Sequence, residues 1–162
     1  MKKYLLTMVA LLCLGFTMNA QVSVSADFLV STRAKVKPDL GVSLMYLHDI
    51  DGALNIGGLV GYRQYLTKEF NANIPFMAIA RYYVTGSSYG FYPQLGMGAK
   101  YYFWRKTFTI LGNTNVIKGS MTQFAYSLGG GYKVSETLDL GLHFEGSGNN
   151  VNGILFRVGF GF

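Results

Sequence analysis

Apolar and polar residues alternate with a period of two along most of this chain, and helical spacing is sustained nowhere beyond its first twenty residues. VSVSADFLVS places Val22, Val24, Ala26, Phe28 and Val30 on one face of an extended strand, with Ser23, Ser25, Asp27 and Ser31 on the other. DLGVSLMYLH sets Leu40, Val42, Leu44 and Tyr46 against Gly41, Ser43 and Met45. ALNIGGLVGYRQY sets Leu54, Ile56, Val60 and Tyr62 against Asn55, Gly57, Gly61 and Arg63. NIPFMAIARYY is a fourth candidate with a blurred alternation. FYPQLGMGAKYYF opposes Leu95, Met97, Ala99 and Tyr101 to Gln94, Gly96, Gly98 and Lys100. FAYSLGGGYKV opposes Phe124, Tyr126, Leu128 and Tyr132 to Ala125, Ser127, Gly129, Gly131 and Lys133. LDLGLHFEG opposes Leu138, Leu140, Leu142 and Phe144 to Asp139, Gly141, His143 and Glu145. GILFRVGFGF ends the chain, with Ile154, Phe156, Val158, Phe160 and Phe162 opposite Leu155, Arg157, Gly159 and Gly161. The pattern predicts eight strands.

Turn-forming segments (VKPD, DIDG, TGSS, SET, SGNN) separate these strands, and Pro38, Pro75 and Pro93 read as residues at or near strand starts, where a missing donor is tolerated. TFTILGNTNV, residues 107–116, loses its alternation after Ile110. Single-chain bacterial barrels have even strand numbers, so 104–122 reads as one long loop, with room for a hairpin rising above the barrel. A rival count makes 107–116 a wall strand and expels residues 22–32.

The first residues carry a different signal. Lys2 and Lys3 precede an apolar run from Tyr4 to Phe16, then Met18-Asn19-Ala20 before Gln21. A charged start, a short apolar segment and a small residue at the cut predict a cleaved signal peptide, residues 1–20. The run is too short for a spanning helix, which needs about 20 apolar residues. Leu12 before Cys13 does not suit a lipoprotein signal. Cleavage leaves 21–162 as a single barrel domain without cysteine, so disulfides cannot stabilise it.

Composition decides which side of the barrel meets water. The chain is 50% hydrophobic and only 14% charged, against about 25% charged in ordinary soluble domains. A soluble barrel would turn its aromatic face inward and cover its exterior with Lys and Glu. Here the second face offers Gly, Ser, Ala, Asn and a few charges, which suits a narrow lumen better than a soluble exterior. The apolar face, with Tyr and Phe near strand ends, suits lipid bounded by aromatic girdles. The fold class expected is all-β, an eight-stranded antiparallel up-and-down transmembrane barrel.

The predicted signal peptide, the strand count, the Phe162 ending and phrases such as GGLVGYRQY, ARYYV, LGGGYKVSETLDLGL and FRVGFGF resemble the small OmpA/OmpX-like outer-membrane barrels. The broader likeness is to the outer membrane protein β-barrel domain group, over essentially all of 21–162. The resemblance implies a monomer in the outer membrane of a Gram-negative bacterium, partnered by outer-membrane lipid and lipopolysaccharide. It also implies that Phe160 and Phe162 form the terminal signal read by the outer-membrane assembly machinery. These motifs specify a fold, not an activity.

The lumen face gathers Asp27, Arg63, Arg81, Lys100, Lys133, Asp139, His143, Glu145 and Arg157. Charges in a narrow, partly dry interior must pair or find water, and eight strands leave an interior about filled by side chains. The expected role is therefore a polar plug, with a structural, envelope-stabilising or surface-interaction function. A narrow pore for ions or small solutes is the alternative. The predicted proximity of the last two strands places Glu145 beside Arg157, with His143 near and Asp27 as a further partner. A lipid-modifying enzyme comes third: lipid A deacylases pair a histidine with a serine two residues on, whereas here that position is Glu145 and Ser147 lies at the wrong offset. No catalytic residue, metal ligand or cofactor is assigned; Asp49 and Asp51 in HDIDG read as a polar turn, too short for a calcium loop.

Charge along the predicted loops is uneven. The outer set holds Arg33, Lys35, Lys37, Lys68, Arg105, Lys106 and Lys118 against Asp39 and Glu69, while the opposite turns hold Asp49, Asp51 and Glu136. A basic outer rim would attract lipopolysaccharide phosphates. No aromatic-interleaved basic patch points to nucleic acid.

Overall fold

A computed structural model describes residues 20–33, 36–67, 70–110, 113–148 and 152–162. The predicted signal segment, apart from Ala20, lies outside them. Eight strands follow in order: β1 Ala20–Ser31, β2 Asp39–Asp49, β3 Leu54–Tyr65, β4 Phe70–Tyr82, β5 Gly90–Ile110, β6 Asn113–Lys133, β7 Leu138–Ser147 and β8 Gly153–Gly161. Each pairs antiparallel with its neighbours, and β8 pairs with β1 to close the barrel. Closure leaves the wall no free strand edge.

The alternation dictates which residues face out. Val24, Phe28, Val42, Leu44, Val60, Phe76, Leu95, Met97, Leu128, Leu142, Phe156 and Val158 are all exposed on the exterior. Tyr46, Tyr82, Phe91, Tyr132 and Phe160 lie on the outer face toward one end, and Tyr62, Tyr101, Phe103 and Phe124 lie toward the other. The buried positions, in contrast, include Asp27, Arg63, Arg81, Lys100, Asp139, His143, Glu145 and Arg157. The polarity is that of a water-soluble protein turned inside out.

β4 explains its own blurred pattern. Its inward residues Met77 and Ile79 join Met45, Leu47, Leu59 and Ala125 in an apolar patch inside the barrel. Both faces of the strand are therefore apolar, and the period disappears from the sequence.

Pro75 departs from the expected placement, because it lies inside β4 and not near its start. The β3–β4 ladder runs to Val60↔Phe76 and resumes at Arg63↔Asn73, omitting the two intervening pairs at Gly61 and Tyr62. A proline cannot donate to the ladder, and Gly61 opposite it leaves space for the ring.

The segment 104–122 is not a loop in the sense expected. β5 and β6 each run 21 residues and pair without interruption from Gly90↔Lys133 to Ile110↔Asn113. β4 follows β5 only to Arg105, and β7 follows β6 only from Ala125, so the hairpin outgrows the wall. The rival count fails, because β1 pairs with both β2 and β8. Alternation fades beyond Arg105, where β5 has no neighbour but β6 and no closed wall imposes opposite surroundings on its two faces.

Both described termini and the tight turns 50–53, 83–89 and 134–137 share one end of the barrel, the turn end; the connections after β1, β3, β5 and β7 share the other, the loop end.

Candidate functional site

The lumen is built from alternate residues of the wall strands and contains two charge clusters. Nearer the loop end, β1 supplies Asp27, β3 Arg63, β5 Lys100, β7 Glu145 and β8 Arg157. Arg157 grips Asp27 with two parallel bonds, Nε to Oδ1 at 2.8 Å and Nη2 to Oδ2 at 3.0 Å. Arg63 spans the lumen: Nε and Nη2 donate to Asp27 Oδ2 at 3.1 and 2.9 Å, while Nη1 donates to Glu145 Oε1 at 2.5 Å. Lys100 forms an ion pair with the same Glu145 oxygen. Ser43 donates to Asp27 Oδ2 at 3.0 Å and shares a hydrogen bond with Ser25. Arg63 and Glu145 are 0% and 1% exposed, so these bonds replace water entirely. Charge-assisted, partly bidentate bonds are the kind that can offset such desolvation.

Nearer the turn end, β4 supplies Arg81 and β7 Asp139. Arg81 Nη1 donates to Asp139 Oδ2 at 2.8 Å and to the Tyr83 hydroxyl at 3.1 Å, and its Nε donates to Gln94 Oε1 at 3.1 Å. The Tyr92 hydroxyl donates to the other Asp139 oxygen at 2.5 Å. The guanidinium also sits 3.8 Å from the centroid of the Tyr92 ring, a cation–π contact. Beneath this cluster lies a cavity of only about 40 Å³.

An apolar zone separates the clusters on one side. Between Arg63 and Asn55 the inward residues of β3 are Gly61, Leu59 and Gly57; between Asn73 and Arg81 those of β4 are Pro75, Met77 and Ile79. Glycine makes room for the crossing side chains. A Cβ on Gly41 would lie 2.6 Å from Cγ of Arg63, and one on Gly131 would lie 2.6 Å from Cζ of Tyr92.

The expected neighbourhood of Glu145 and Arg157 requires correction. Glu145 faces Gly153 across β7–β8, whereas Arg157 faces Gly141, four residues away along the ladder. Each instead pairs with a cation or anion from another strand, Glu145 with Arg63 and Lys100, and Arg157 with Asp27. Register, which sequence could not supply, decides the partner.

Other assigned residues are placed as follows. His143 is buried at the level between the clusters, and neither ring nitrogen has a partner among the described residues. Lys133 is half-buried at the turn end and donates to Gln21 Oε1 at 2.9 Å, outside both clusters. Asp39, assigned to an outer loop, is the first residue of β2 and is buried inside the barrel. Asp49 and Asp51 accept backbone N–H groups of their own turn, from Gly52 at 2.6 Å and Leu54 at 2.7 Å. Arg33, Lys37, Arg105, Lys106 and Lys118 are exposed at the loop end; Lys35, Lys68 and Glu69 lie outside the described residues. Phe160 faces outward, and Phe162, 88% exposed, donates its backbone N–H to Val22 at 2.9 Å. Sequence reasoning missed the neutral members Ser43, Tyr83, Tyr92 and Gln94; their inward parity was the available signal.

No known protein-family pattern and no curated protein sequence matches the chain. Solved structures do match in shape. The N-terminal β-barrel domain of OprF from Pseudomonas aeruginosa aligns with 88% of this chain and 97% of its own, at a TM-score of 0.64 and 16% identity. Ail, the attachment invasion locus protein of Yersinia pestis, covers the same shares at 0.65 and 14%; it has also been solved with the heparin analogue sucrose octasulfate. The outer membrane protein OprG from Pseudomonas aeruginosa covers 89% of this chain and 96% of its own, at 0.52 and 11%. The chain thus has the fold of the eight-stranded outer-membrane β-barrels.

Proposed function

We propose that this protein is an integral outer-membrane barrel of a Gram-negative bacterium, with a closed lumen and a structural or surface-interacting role. The observation that carries the reading is the polarity of the wall: apolar side chains meet the surroundings while the ionic groups are buried and paired. Only a lipid exterior rewards that arrangement. The two clusters obstruct the lumen at two levels, which favours a plug over a pore. In planar bilayers the purified barrel should give no steady conductance. Reproducible single-channel steps at neutral pH would sink the closed-lumen reading and promote the narrow pore.

In this orientation the turn end is periplasmic and the hairpin and basic residues face outward. A cysteine at Lys37 or Lys106 should react with an impermeant reagent on whole cells, and one at Asp51 or Glu136 only after the outer membrane is breached. The exposed Arg33, Lys37, Arg105, Lys106 and Lys118 would meet lipopolysaccharide phosphates there. The heparin analogue bound by Ail, a polyanion on the same fold, favours this partner chemistry.

The leader belongs to the same reading. The signal peptide is proposed to be removed after Ala20, and N-terminal sequencing of envelope protein should begin at Gln21. The terminal Phe160 and Phe162 are proposed to engage the assembly machinery. Replacing Phe162 with Asp should then reduce outer-membrane yield more than the same change at the lumen-facing Gly161.

A further inference from the structure

The base of the hairpin carries two cations side by side. Arg105 of β5 stands directly opposite Lys118 of β6, and both are exposed. Strand alternation puts them on the same face as Phe103 and Tyr101, the exterior of the barrel. Like charges directly across a ladder repel, and an anion held between them would turn that repulsion into attraction. Among the described residues no carboxylate does so. Asp27, Asp39, Asp139 and Glu145 are buried in the barrel, and Asp49, Asp51 and Glu136 belong to the turn end.

The surroundings suit the headgroup of an amphiphile. Toward the wall, the next pairs on this face are Phe103↔Ser120 and Tyr101↔Thr122. The Phe103 ring lies 6.3 Å from that of Tyr62 and 6.0 Å from that of Tyr101, which makes it part of the loop-end aromatic belt. Two residues of strand span about 7 Å, so the cations stand about that far beyond the belt. Such belts sit at membrane–water interfaces, and lipid phosphates occupy the level just above. Phe103, Trp104, Arg105, Lys118, Gly119 and Ser120 line an open groove there, of about 640 Å³.

We propose that Arg105 and Lys118 clamp the phosphate monoester of one outer-leaflet lipid, whose acyl chains descend along Phe103 and Tyr101. The assignment rests on the outward orientation of the hairpin proposed above, and replaces a diffuse basic rim by a single site. A phosphate monoester carries roughly two negative charges at neutral pH and three strong acceptor oxygens. That matches two cations, a guanidinium fork and an ammonium, with the Ser120 hydroxyl as a further donor in the groove. A phosphodiester carries one charge and balances only half of the pair.

Trp104 is the only tryptophan in the chain and lines the groove, so its fluorescence reports on occupancy. The barrel, refolded into phosphatidylcholine vesicles, is titrated with phosphatidic acid, a monoester, with phosphatidylglycerol, a diester, and with inorganic phosphate. Phosphatidic acid should give a saturable change at a mole fraction ~10-fold lower than phosphatidylglycerol. Inorganic phosphate, which has no chains to lie along Phe103, should give none. Arg105→Gln and Lys118→Gln should each weaken phosphatidic acid about 10-fold or more. Lys37→Gln and Lys106→Gln, which remove the same charge elsewhere at the loop end, should weaken it less than about threefold. No response to phosphatidic acid, an equal response to either other probe, or equal losses in all four variants would overturn the clamp and leave the outer-membrane reading standing. Labelling of Lys106→Cys only after the outer membrane is breached would overturn the orientation itself, whatever the vesicles show.

Discussion

The cluster nearer the loop end holds three cations and two carboxylates in direct contact, whereas the cluster nearer the turn end holds one ion pair surrounded by hydroxyls, an amide and aromatic rings. In the first, Arg63, Asp27 and Glu145 each serve two charged partners, so removing one takes a charged contact from two others at once. In the second, the Arg81–Asp139 pair itself persists whichever neutral member is lost. Networks of charge are cooperative and brittle; a single pair with neutral support is more tolerant.

The largest test of that difference is Arg63→Met. It leaves Asp27 with Arg157 and Glu145 with Lys100 but removes the charge-assisted Arg63 bonds to both buried carboxylates, and should cost about 3–5 kcal/mol, at about 1.5–3 for each carboxylate, in urea unfolding from lipid vesicles. A loss below 1 kcal/mol would mean that water already screens the site. Next comes a pair of double-mutant cycles. Glu145→Gln crossed with Arg63→Met should show a coupling of about 1–3 kcal/mol, and Glu145→Gln crossed with Arg157→Met a value near zero. The reverse ranking would reject the register described here. At the turn end, Tyr92→Phe should cost only about 1 kcal/mol, because Arg81 still pairs with Asp139. A cost matching that of Arg63→Met would abolish the distinction between the clusters. The smallest effect is expected from deleting 107–116 and closing the hairpin with a short turn. Barrel stability should change by less than about 0.5 kcal/mol, since the described residues among them pair only with each other.

Much of the wall could be read directly, because an apolar exterior and a charged interior impose opposite polarity on alternate residues. Asp27, Arg63 and Glu145 declare their face by parity alone. Their partners do not follow from parity: Glu145 meets Arg63 across the lumen, a contact separated by 82 positions and fixed by shear and register. β4 was obscure because Met77 and Ile79 make its inner face as apolar as its outer. Asp39 was misplaced because a carboxylate after Lys37-Pro38 looks like loop, and only the start of β2 turns it inward. The loop-end cavity lined by Tyr65, Tyr102 and Trp104 was illegible, since Trp104 and Tyr65 come from strands that do not adjoin.

The bond between Asp27 and Arg157 joins residues 130 positions apart, across the junction of the first strand and the last. A contact of that span makes folding slow and leaves it to the end. Until the junction forms, Asp27 lacks the bidentate partner, and a half-built sheet carries an exposed acid on its open margin. A slip of one residue would turn Arg157 to the apolar exterior, and a slip of two would set Asp27 against Leu155 or Gly159. The ion pair therefore acts as a proofreading latch: it rewards one alignment of the closing strands and penalises its neighbours, before any question of what the finished barrel binds.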